Sequence, residues 1–501
     1  MSTFKKILCG TLALMMVLST CACGVGDKDN SEDDDSKSTV AADGTNEGET
    51  KETLDIPDTR YDGEELVFMT RDESEWSSLS IYAEKDQIGE DPLSEAVYTR
   101  NDMVLQNYGV TVKEYKEATT AMPGKVQTET NAPTGDFQVV VSNVNNSAGF
   151  SNNALVWDLN SEETSNIDFS KSWWDGQMIE GFTINDKVFF ATGDMLTLDN
   201  DATFVMMFNK TIAKECQIPD LYSMVTNYEW TFDKLFEYEQ LAIDDADGDG
   251  KLAYDNGVSG FALTNDVFYS MFYAGGLSVV KRGEDGTLAY ALDVERGQNI
   301  SDSAKRIFSK DFIVNINDVA TSTGAGVPEI GKTCFGENHA FFFGEVLQCV
   351  ERMRGYDVDF GVIPYPMYNQ EQRQYYHMMH TTGSVVSIPR SVSKNIEMVS
   401  SMLEAISYYS VDTVTKQYYE INLTTKNVKD EQSGPMIDLI LASRVCDLAY
   451  YYGWGNAVGS LVETLKPDST KSMSSVGKSV GKSVDRQMER AIKKIDENYG
   501  G

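Results

Sequence analysis

The feature that most constrains the fold is the alternation of strand-like and helix-like segments between residues 62 and 143. "GEELVFMTR" predicts a strand over 66–70, "DPLSEAVYTRNDMVLQNYG" predicts a helix capped by Ser94, and "VTVKEY" predicts the next strand. The apolar run in "GDFQVVVSN" suits a third strand that is covered on both faces. Strands that alternate with a helix at this spacing favour an α/β domain.

Similar segments follow along the chain, and its last part is mostly helical. Strands are predicted for "FVMMFNK", "NHAFFFG" and "VDFGVIPYP". Five apolar residues recur at helical spacing near the end and predict a final helix that packs on a domain: Val484, Met488, Ile492, Ile495 and Tyr499. A chain of 501 residues is long enough to form two domains.

The first 22 residues have the layout of a secretory signal. Two lysines precede a short apolar run, Ile7–Leu18, and small residues follow it. The cysteines at the end of this segment resemble the lipobox of bacterial lipoproteins, in which a lipidated cysteine becomes the new N-terminus. Cys23 is the predicted acceptor, and Cys21 is the alternative. We therefore expect residues 1–22 to be a lipoprotein signal peptide and the protein to be held by lipid at the extracellular face of the cytoplasmic membrane.

The strongly negative charge of the chain argues against some classes of binding partner. Residues 23–61 are acidic and almost free of large apolar side chains, which predicts a disordered tether. The formal charge of the whole chain is −36, which disfavours nucleic acid as a partner. Beyond the signal, no run of 18 apolar residues predicts a membrane span.

Four cysteines follow the signal segment, and their spacing predicts neither a zinc site nor a dense disulfide scaffold: Cys216, Cys334, Cys349 and Cys446. Four buried thiols are one interpretation. A single disulfide is the other, and the sequence leaves their disulfide state open.

"DDADGDGKLAYDN" follows the first eight positions of a calcium-binding loop. Asp245, Asp247 and Asp249 alternate as oxygen ligands would, and Gly250 allows the turn. Asn256 stands where such a loop has a bidentate glutamate. The segment is therefore a candidate calcium site or a polar turn, and we expect no other cofactor.

Several segments in chain order carry a family likeness: "GDFQVVV", "FVMMFNKTIA", "EWTFDKL", "GVSGFAL", "FGENHAFFFG" and "DFGVIPYPMYNQEQRQYY". Together they resemble extracellular solute-binding proteins of ABC importers, of the sugar-binding class. "KDEQSGPMIDLILASRVCDLAYYYGWG" resembles a lipoprotein branch of that family from Gram-positive bacteria. The resemblance implies an α/β protein with a two-lobed, periplasmic-binding-protein-like fold of type II. Its lobes would be discontinuous and joined by a hinge, residues 62–203 with 363–410 forming lobe one and residues 204–362 with 411–501 forming lobe two.

The same resemblance implies a function. We expect a monomeric protein that is not an enzyme and that delivers a neutral sugar or oligosaccharide to ABC permease subunits. A cell-surface glycan hydrolase is one alternative, because paired carboxylates could occur anywhere among 78 acidic residues. A sensory or interaction protein on the same fold is the other.

Candidate ligand-binding residues follow the predicted strands, because sites in open α/β sheets lie beyond the carboxyl ends of strands. The candidates are Arg71, Trp76, Asp194, Asn265, Tyr269, Phe343, Glu345 and Trp454. Trp454 is flanked by Gly453 and Gly455, which would let a sugar ring approach the indole. In "HMMH" the spacing does not fit a zinc helix, and His380 is expected near the cleft or at the surface.

Overall fold

A computed structural model describes residues 52–72, 80–85, 89, 91–419 and 431–500. The predicted signal peptide, both candidate lipidation cysteines and the tether up to residue 51 lie outside the described residues. Residues 52–501 form one unit. Within it, the segment that follows residue 51 contacts the body: the Asp55 carboxylate pairs with Lys171 at 2.7 Å, and the Ser172 amide donates to Glu52 at 2.9 Å.

Two large sheets organise this unit, and two small sheets of two strands each accompany them. The strands, in chain order, are β1 Glu65–Arg71, β2 Thr111–Glu117, β3 Val139–Asn143, β4 Phe204–Asn209, β5 Ser259–Leu263, β6 Val280–Arg282, β7 Leu288–Tyr290, β8 Ile313–Asn315, β9 Ala340–Val346, β10 Phe360–Ile363, β11 His377–Met378, β12 Ser384–Ser387 and β13 Arg444–Val445. The strands that the sequence predicts between residues 66 and 143 are confirmed as β1, β2 and β3, and the three later ones as β4, β9 and β10.

Helices cover the sheets and connect their strands. In chain order they are α1 Pro92–Tyr108, α2 Met122–Asn131, α3 Val144–Asn152, α4 Gly176–Phe182, α5 Leu198–Asp201, α6 Lys210–Glu215, α7 Leu221–Thr226, α8 Phe232–Leu241, α9 Val267–Ala274, α10 Val294–Ile307, α11 Ile316–Thr323, α12 Val327–Gly336, α13 Gln348–Arg352, α14 Ile396–Ser410, α15 Lys416–Tyr419, α16 Ser433–Ala442, α17 Leu448–Tyr451, α18 Ala457–Val462 and α19 Met473–Tyr499. Among the described residues, no helix combines the length and the apolar character needed to cross a membrane.

The cap of α1 differs from the prediction. Asp91, not Ser94, is the capping residue, and its carboxylate accepts both the amide and the hydroxyl of Ser94 at 2.9 Å. Pro92 then occupies the first turn, where its missing N–H costs no hydrogen bond. Because this proline is tolerated only at the start of a helix, the boundary falls three residues earlier than a serine cap would place it.

The first sheet has the order β12-β3-β1-β2 and lies in what we call the first lobe. β1 runs parallel to β2 and to β3, and β12 pairs antiparallel with β3. The second sheet, in the second lobe, has the order β10-β4-β9-β5-β8. There β5 runs parallel to β8 and β9, while β4 runs antiparallel to β9 and β10. Since β12 returns to the first sheet after the second is complete, the first lobe is built from separate parts of the chain.

Buried apolar side chains fill both lobes and are anchored by a few polar contacts. The indole N–H groups of Trp173 and Trp174 both donate to the carboxylate of Glu404 on α14, at 3.0 and 2.8 Å. Burial raises the pKa of Glu404 to about 7, although the indole hydrogen bonds oppose that shift. This pair therefore anchors α14 to the first lobe. The four described cysteines are free thiols.

The final helix, α19, contacts both lobes along its 27 residues. Near its start, the Tyr290 hydroxyl of the second lobe donates to the Gly477 carbonyl at 2.9 Å. At its end, the Tyr499 hydroxyl donates to the Val156 carbonyl of the first lobe at 2.6 Å, and its ring lies 4.7 Å from that of Phe189. An α-helix of this length spans about 40 Å, enough to reach from one lobe to the other.

Candidate ligand-binding site

A cavity of about 380 Å³ lies where both lobes contribute residues. The first lobe supplies Asn145, at the start of α3, and the segment before β12 supplies His380 and Thr381. The second lobe supplies Asp266 and Tyr269, and the remaining wall is the segment from α17 to α18. This volume is within the range of sites for small molecules.

These side chains meet at the cavity because the residues that carry them follow the carboxyl ends of strands. Every residue of β5 is buried, so the first side chains able to reach an opening are those that follow it. Asp266 is the residue before α9 and Tyr269 lies in its first turn, just beyond the carboxyl end of β5. Asn145 stands in the same relation to β3 in the other sheet. The site therefore obeys the rule that ligands bind beyond the carboxyl ends of strands in open α/β sheets.

Tyrosines form one side of the cavity. The rings of Tyr269 and Tyr450 lie 5.6 Å apart and are tilted by 48°. Gly459 lies beside them, and a Cβ there would come within 3.2 Å of the Tyr269 hydroxyl. A glycine at this position thus lets the α18 backbone approach the tyrosine. Tyr452 links the wall to the first lobe, because its hydroxyl lies 2.9 Å from that of Ser151.

The electrostatic environment of the cavity is negative. Glu345 ends near Asp266 because β9 and β5 are parallel neighbours in the same sheet. Burial raises the pKa of Glu345 to about 7, the Val346 amide opposes that shift, and the charge of Asp266 adds to it. Burial lowers the pKa of His380, and Asp266 opposes that shift. The imidazole is therefore neutral at pH 7, while Asp266 supplies a carboxylate at the cavity wall.

The structure brings some of the predicted residues to this cavity and buries others behind it. Tyr269 lines the cavity, and His380 does so as well. Glu345 lies behind the wall near Asp266. Phe343 is 2% exposed and packs on Phe335 at 5.5 Å.

Asn265 faces away from this cavity, although it is adjacent to Asp266. It lines a separate cavity, and its side-chain oxygen accepts from the Asn315 side-chain amide at 3.3 Å. Its backbone amide donates to the side-chain oxygen of Asn317 at 2.7 Å. Asn265 therefore joins the loops after β5 and β8.

Trp454 lies in the protein core. It is 2% exposed and packs against Tyr452, with ring centroids 5.3 Å apart. Gly453 and Gly455 both adopt φ of 64°, so the chain bends on each side of the tryptophan. The bends turn the indole inward, and the backbone at Gly453, not the indole, borders the cavity.

The remaining candidates belong to the first lobe. Arg71 ends β1, and its guanidinium donates to the Ser384 hydroxyl of β12 at 2.9 Å. Burial lowers its pKa to about 10. Asp194 accepts from the Thr415 hydroxyl at 3.0 Å, and burial raises its pKa to about 7 despite this bond. Trp76 lies outside the described residues.

Sequence reasoning did not single out Asp266, Thr381 or Asn145. Asp266 and Asn145 carry a usable signal, since each follows a buried strand by two or three residues. Thr381 has no such signal, because it precedes the short strand β12 and reaches the cavity only when that strand joins the first sheet.

The three aspartates of the candidate calcium loop converge in the structure. Each of Asp245, Asp247 and Asp249 offers one carboxylate oxygen, and these atoms lie within 4.8 Å of one another. Asp245 also accepts the amides of Gly248 and Gly250, at 3.1 and 2.8 Å. Those bonds are equally suited to a polar turn, so calcium binding stays a prediction.

No protein-family model matches the sequence, and a search of curated proteins finds no match. Among solved structures, a sugar transporter from Rhizobium etli in an open conformation is similar at a TM-score of 0.58 and 13% identity, over 84% of this chain and 99% of that one. An ABC substrate-binding protein from Listeria monocytogenes, in complex with cycloalternan, is similar at a TM-score of 0.55 and 13% identity, over 85% of this chain and 100% of that one. The maltose/maltodextrin-binding domain MalE from Bdellovibrio bacteriovorus, bound to maltotriose, is similar at a TM-score of 0.50 and 13% identity, over 85% of this chain and 100% of that one.

These likenesses cover nearly the full length of each structure. At such low identity they speak for the fold alone. They confirm the fold class and, at the level of the fold, the resemblance seen in the sequence: the chain has the two-lobed α/β fold of type II periplasmic binding proteins, which the sugar-binding proteins of ABC importers share.

Proposed function

We propose that this protein is an extracellular solute-binding protein that captures a sugar or oligosaccharide and delivers it to an ABC importer. One observation carries the proposal: the cavity combines tyrosine rings with carboxylate, amide and hydroxyl groups, and both lobes contribute to it. The solved structures with bound cycloalternan and maltotriose support the same class of solute.

The chemistry of the cavity suits a saccharide. A sugar ring has a face of C–H groups and a rim of hydroxyls. Tyr269 and Tyr450 offer rigid aromatic area for the face. Asp266, Asn145 and Thr381 offer acceptors and donors for the rim. Closure of two lobes around the solute is the motion expected of this fold.

Delivery requires that the protein stays near its permease. The predicted lipid on Cys23, or on Cys21, would hold it at the membrane, and the acidic segment that follows would let the body reach a permease. The test is incorporation of labelled fatty acid. It should occur in the parent protein and disappear when both cysteines are replaced by alanine. Unchanged labelling of the double variant would refute the anchor.

The binding test is a thermal-shift screen against mono-, di- and oligosaccharides, peptides and polyamines, followed by calorimetric titration of each ligand found. A ligand at 100 times its Kd should stabilise the native state by about 2.7 kcal/mol. Tyr269→Ala should weaken binding, whereas Tyr228→Ala, which removes a 41% exposed ring outside the cavity, should not. Stabilisation by peptides or polyamines alone would reject a saccharide as the solute.

Binding without turnover separates this proposal from a glycan hydrolase. A labelled oligosaccharide that binds should be recovered intact after prolonged incubation with the purified protein. Release of shorter products, lost on Asp266→Asn, would instead assign the cavity to catalysis.

A further inference from the structure

The described residues around the cavity carry a negative charge and supply no counter-charge. Among the described residues that line it, Asp266 is the one carboxylate, and no lysine or arginine is present. The Asp266 side chain makes no ion pair or hydrogen bond with any other described residue, and it does not cap α9. The backbone carbonyl of Asp266, in contrast, accepts the amides of Tyr269 and Ser270.

His380 does not supply the missing charge. It is the only basic side chain among the described lining residues, and its imidazole hydrogen bonds to the Thr382 hydroxyl at 2.8 Å. Burial holds its pKa below the ordinary value, so it is neutral at pH 7. Glu345, behind the wall, adds to the negative potential whenever it is ionised.

A neutral solute would leave this arrangement unbalanced. When the lobes close and expel water, a carboxylate without a counter-ion loses its hydration, which is costly even if hydroxyls donate to it. A protonated amine removes the cost, because it supplies both hydrogen bonds and the opposite charge.

The tyrosines that line the cavity also favour a protonated amine. Asp266 lies close enough to Tyr269 and Tyr450 for its charge to raise the pKa of both hydroxyls, although burial is the larger cause at each. A cation beside Asp266 would therefore also lie near these two tyrosines, and aromatic rings attract positive charge. The carboxylate and the rings form one corner of the cavity, which we call the cation corner: Asp266, Tyr269 and Tyr450.

We propose that the cation corner selects a saccharide that carries a free, protonated amine, with Asp266 as its counter-ion. This inference rests on the proposed function and narrows it from sugars in general to amino sugars.

The test uses three disaccharides that share one linkage and differ at C2: the β-1,4-linked disaccharide of glucosamine, its di-N-acetyl form, and cellobiose. Titration is done below the pKa of the amine. We expect the free amine to bind about tenfold or more tightly than either neutral disaccharide, as close charge pairs at interfaces do. Its affinity should fall with added salt, while that of cellobiose should not.

Asp266→Asn keeps the shape and removes the charge, so the preference for the amine should vanish while binding of cellobiose is retained. Glu284→Gln makes the same charge change at an exposed position outside the cavity and should leave the preference intact. If Asp266→Asn fails to fold, Asp266→Ser takes its place, because a chain with a charge of −36 would make the binding of any cation depend on salt whether or not Asp266 is its partner.

The outcomes separate the two claims. Equal affinity for the amine and cellobiose, or a preference that survives Asp266→Asn, overturns the amino-sugar inference and leaves sugar binding in place. Binding of none of the three, together with no saccharide hit in the wider screen, overturns the proposed function and this inference with it.

Discussion

Single residues near the cavity differ sharply in what they do, and burial separates their roles. Tyr269 and Asp266 line the cavity, whereas Trp454 and Phe343 lie behind it with 2% of their surface exposed. Residue type alone does not distinguish these cases, because an aromatic ring suits a sugar and a core equally well. The direction of the side chain decides, and the bends at Gly453 and Gly455 set that direction for Trp454.

Replacing Trp454 should therefore affect stability more than recognition. Trp454→Ala removes a buried indole that packs on Tyr452, and we expect a loss of about 3–5 kcal/mol in the free energy of unfolding. Urea denaturation measures it. Leu241→Ala, at a side chain that is 57% exposed, is the control and should change stability by less than about 0.5 kcal/mol. If the Trp454 variant kept full stability but bound the solute more weakly, the indole would have to be a ligand-binding group and not a core residue.

Glu345 should make stability depend on pH. Its folded-state pKa of about 7 lies above the ordinary value of 4.5, so the folded protein holds this proton more tightly than the unfolded chain does. Its contribution is therefore fully present below pH 4.5 and is lost as the pH rises towards 7. Glu345→Gln should reduce the fall in unfolding free energy across this window by about 1–3 kcal/mol.

Urea denaturation at several pH values, with Glu284→Gln as an exposed control, measures that difference. Parallel stability curves for the parent and the Glu345 variant would contradict the raised pKa.

At the scale of elements, the sequence predicted long, regular segments better than short ones. β3 follows an apolar run and α19 follows a helical repeat, and both were predictable from these patterns. α17 and α18 have four and six residues, and glycine bends separate them, so no periodic pattern indicates which face is buried. The candidate site draws on this irregular segment, and for that reason only part of it could be predicted.

The loop that holds Asp245, Asp247 and Asp249 makes a prediction of its own. If calcium binds there, a chelator should lower the melting temperature of the parent protein, and Asp247→Asn should abolish the response. Asp285→Asn, in the acidic turn between β6 and β7, is the matched control because that carboxylate also accepts a nearby amide. If chelator left the melting temperature unchanged, the segment would be a polar turn and not a calcium site.

At the scale of the molecule, the discontinuity of the lobes could not be derived from local patterns. β12 is a four-residue strand that pairs with β3, more than 200 residues earlier in the chain. Nothing in "SVVS" specifies that partner. The resemblance to a known family predicted the arrangement, and the similarity to solved structures confirmed the fold. The residue bounds of each lobe stay predictions.

The charge of −36 should also act on the molecule as a whole. Mutual repulsion of like charges opposes the compact state, and salt screens it over about 10 Å at 0.1 M. We therefore expect the melting temperature to rise when sodium chloride is increased from low to physiological concentration. Differential scanning calorimetry measures it, and a melting temperature that falls with salt would mean that attractive ion pairs dominate.

The last helix has a consequence for the lifetime of a complex. α19 is held to the second lobe at Gly477 and to the first lobe at Tyr499. If the lobes separate to release a solute, α19 either keeps both attachments and marks the side of the molecule about which the lobes rotate, or loses one of them. In the second case, breaking that attachment adds to the barrier for release, and a bound solute would dwell longer than its own contacts dictate.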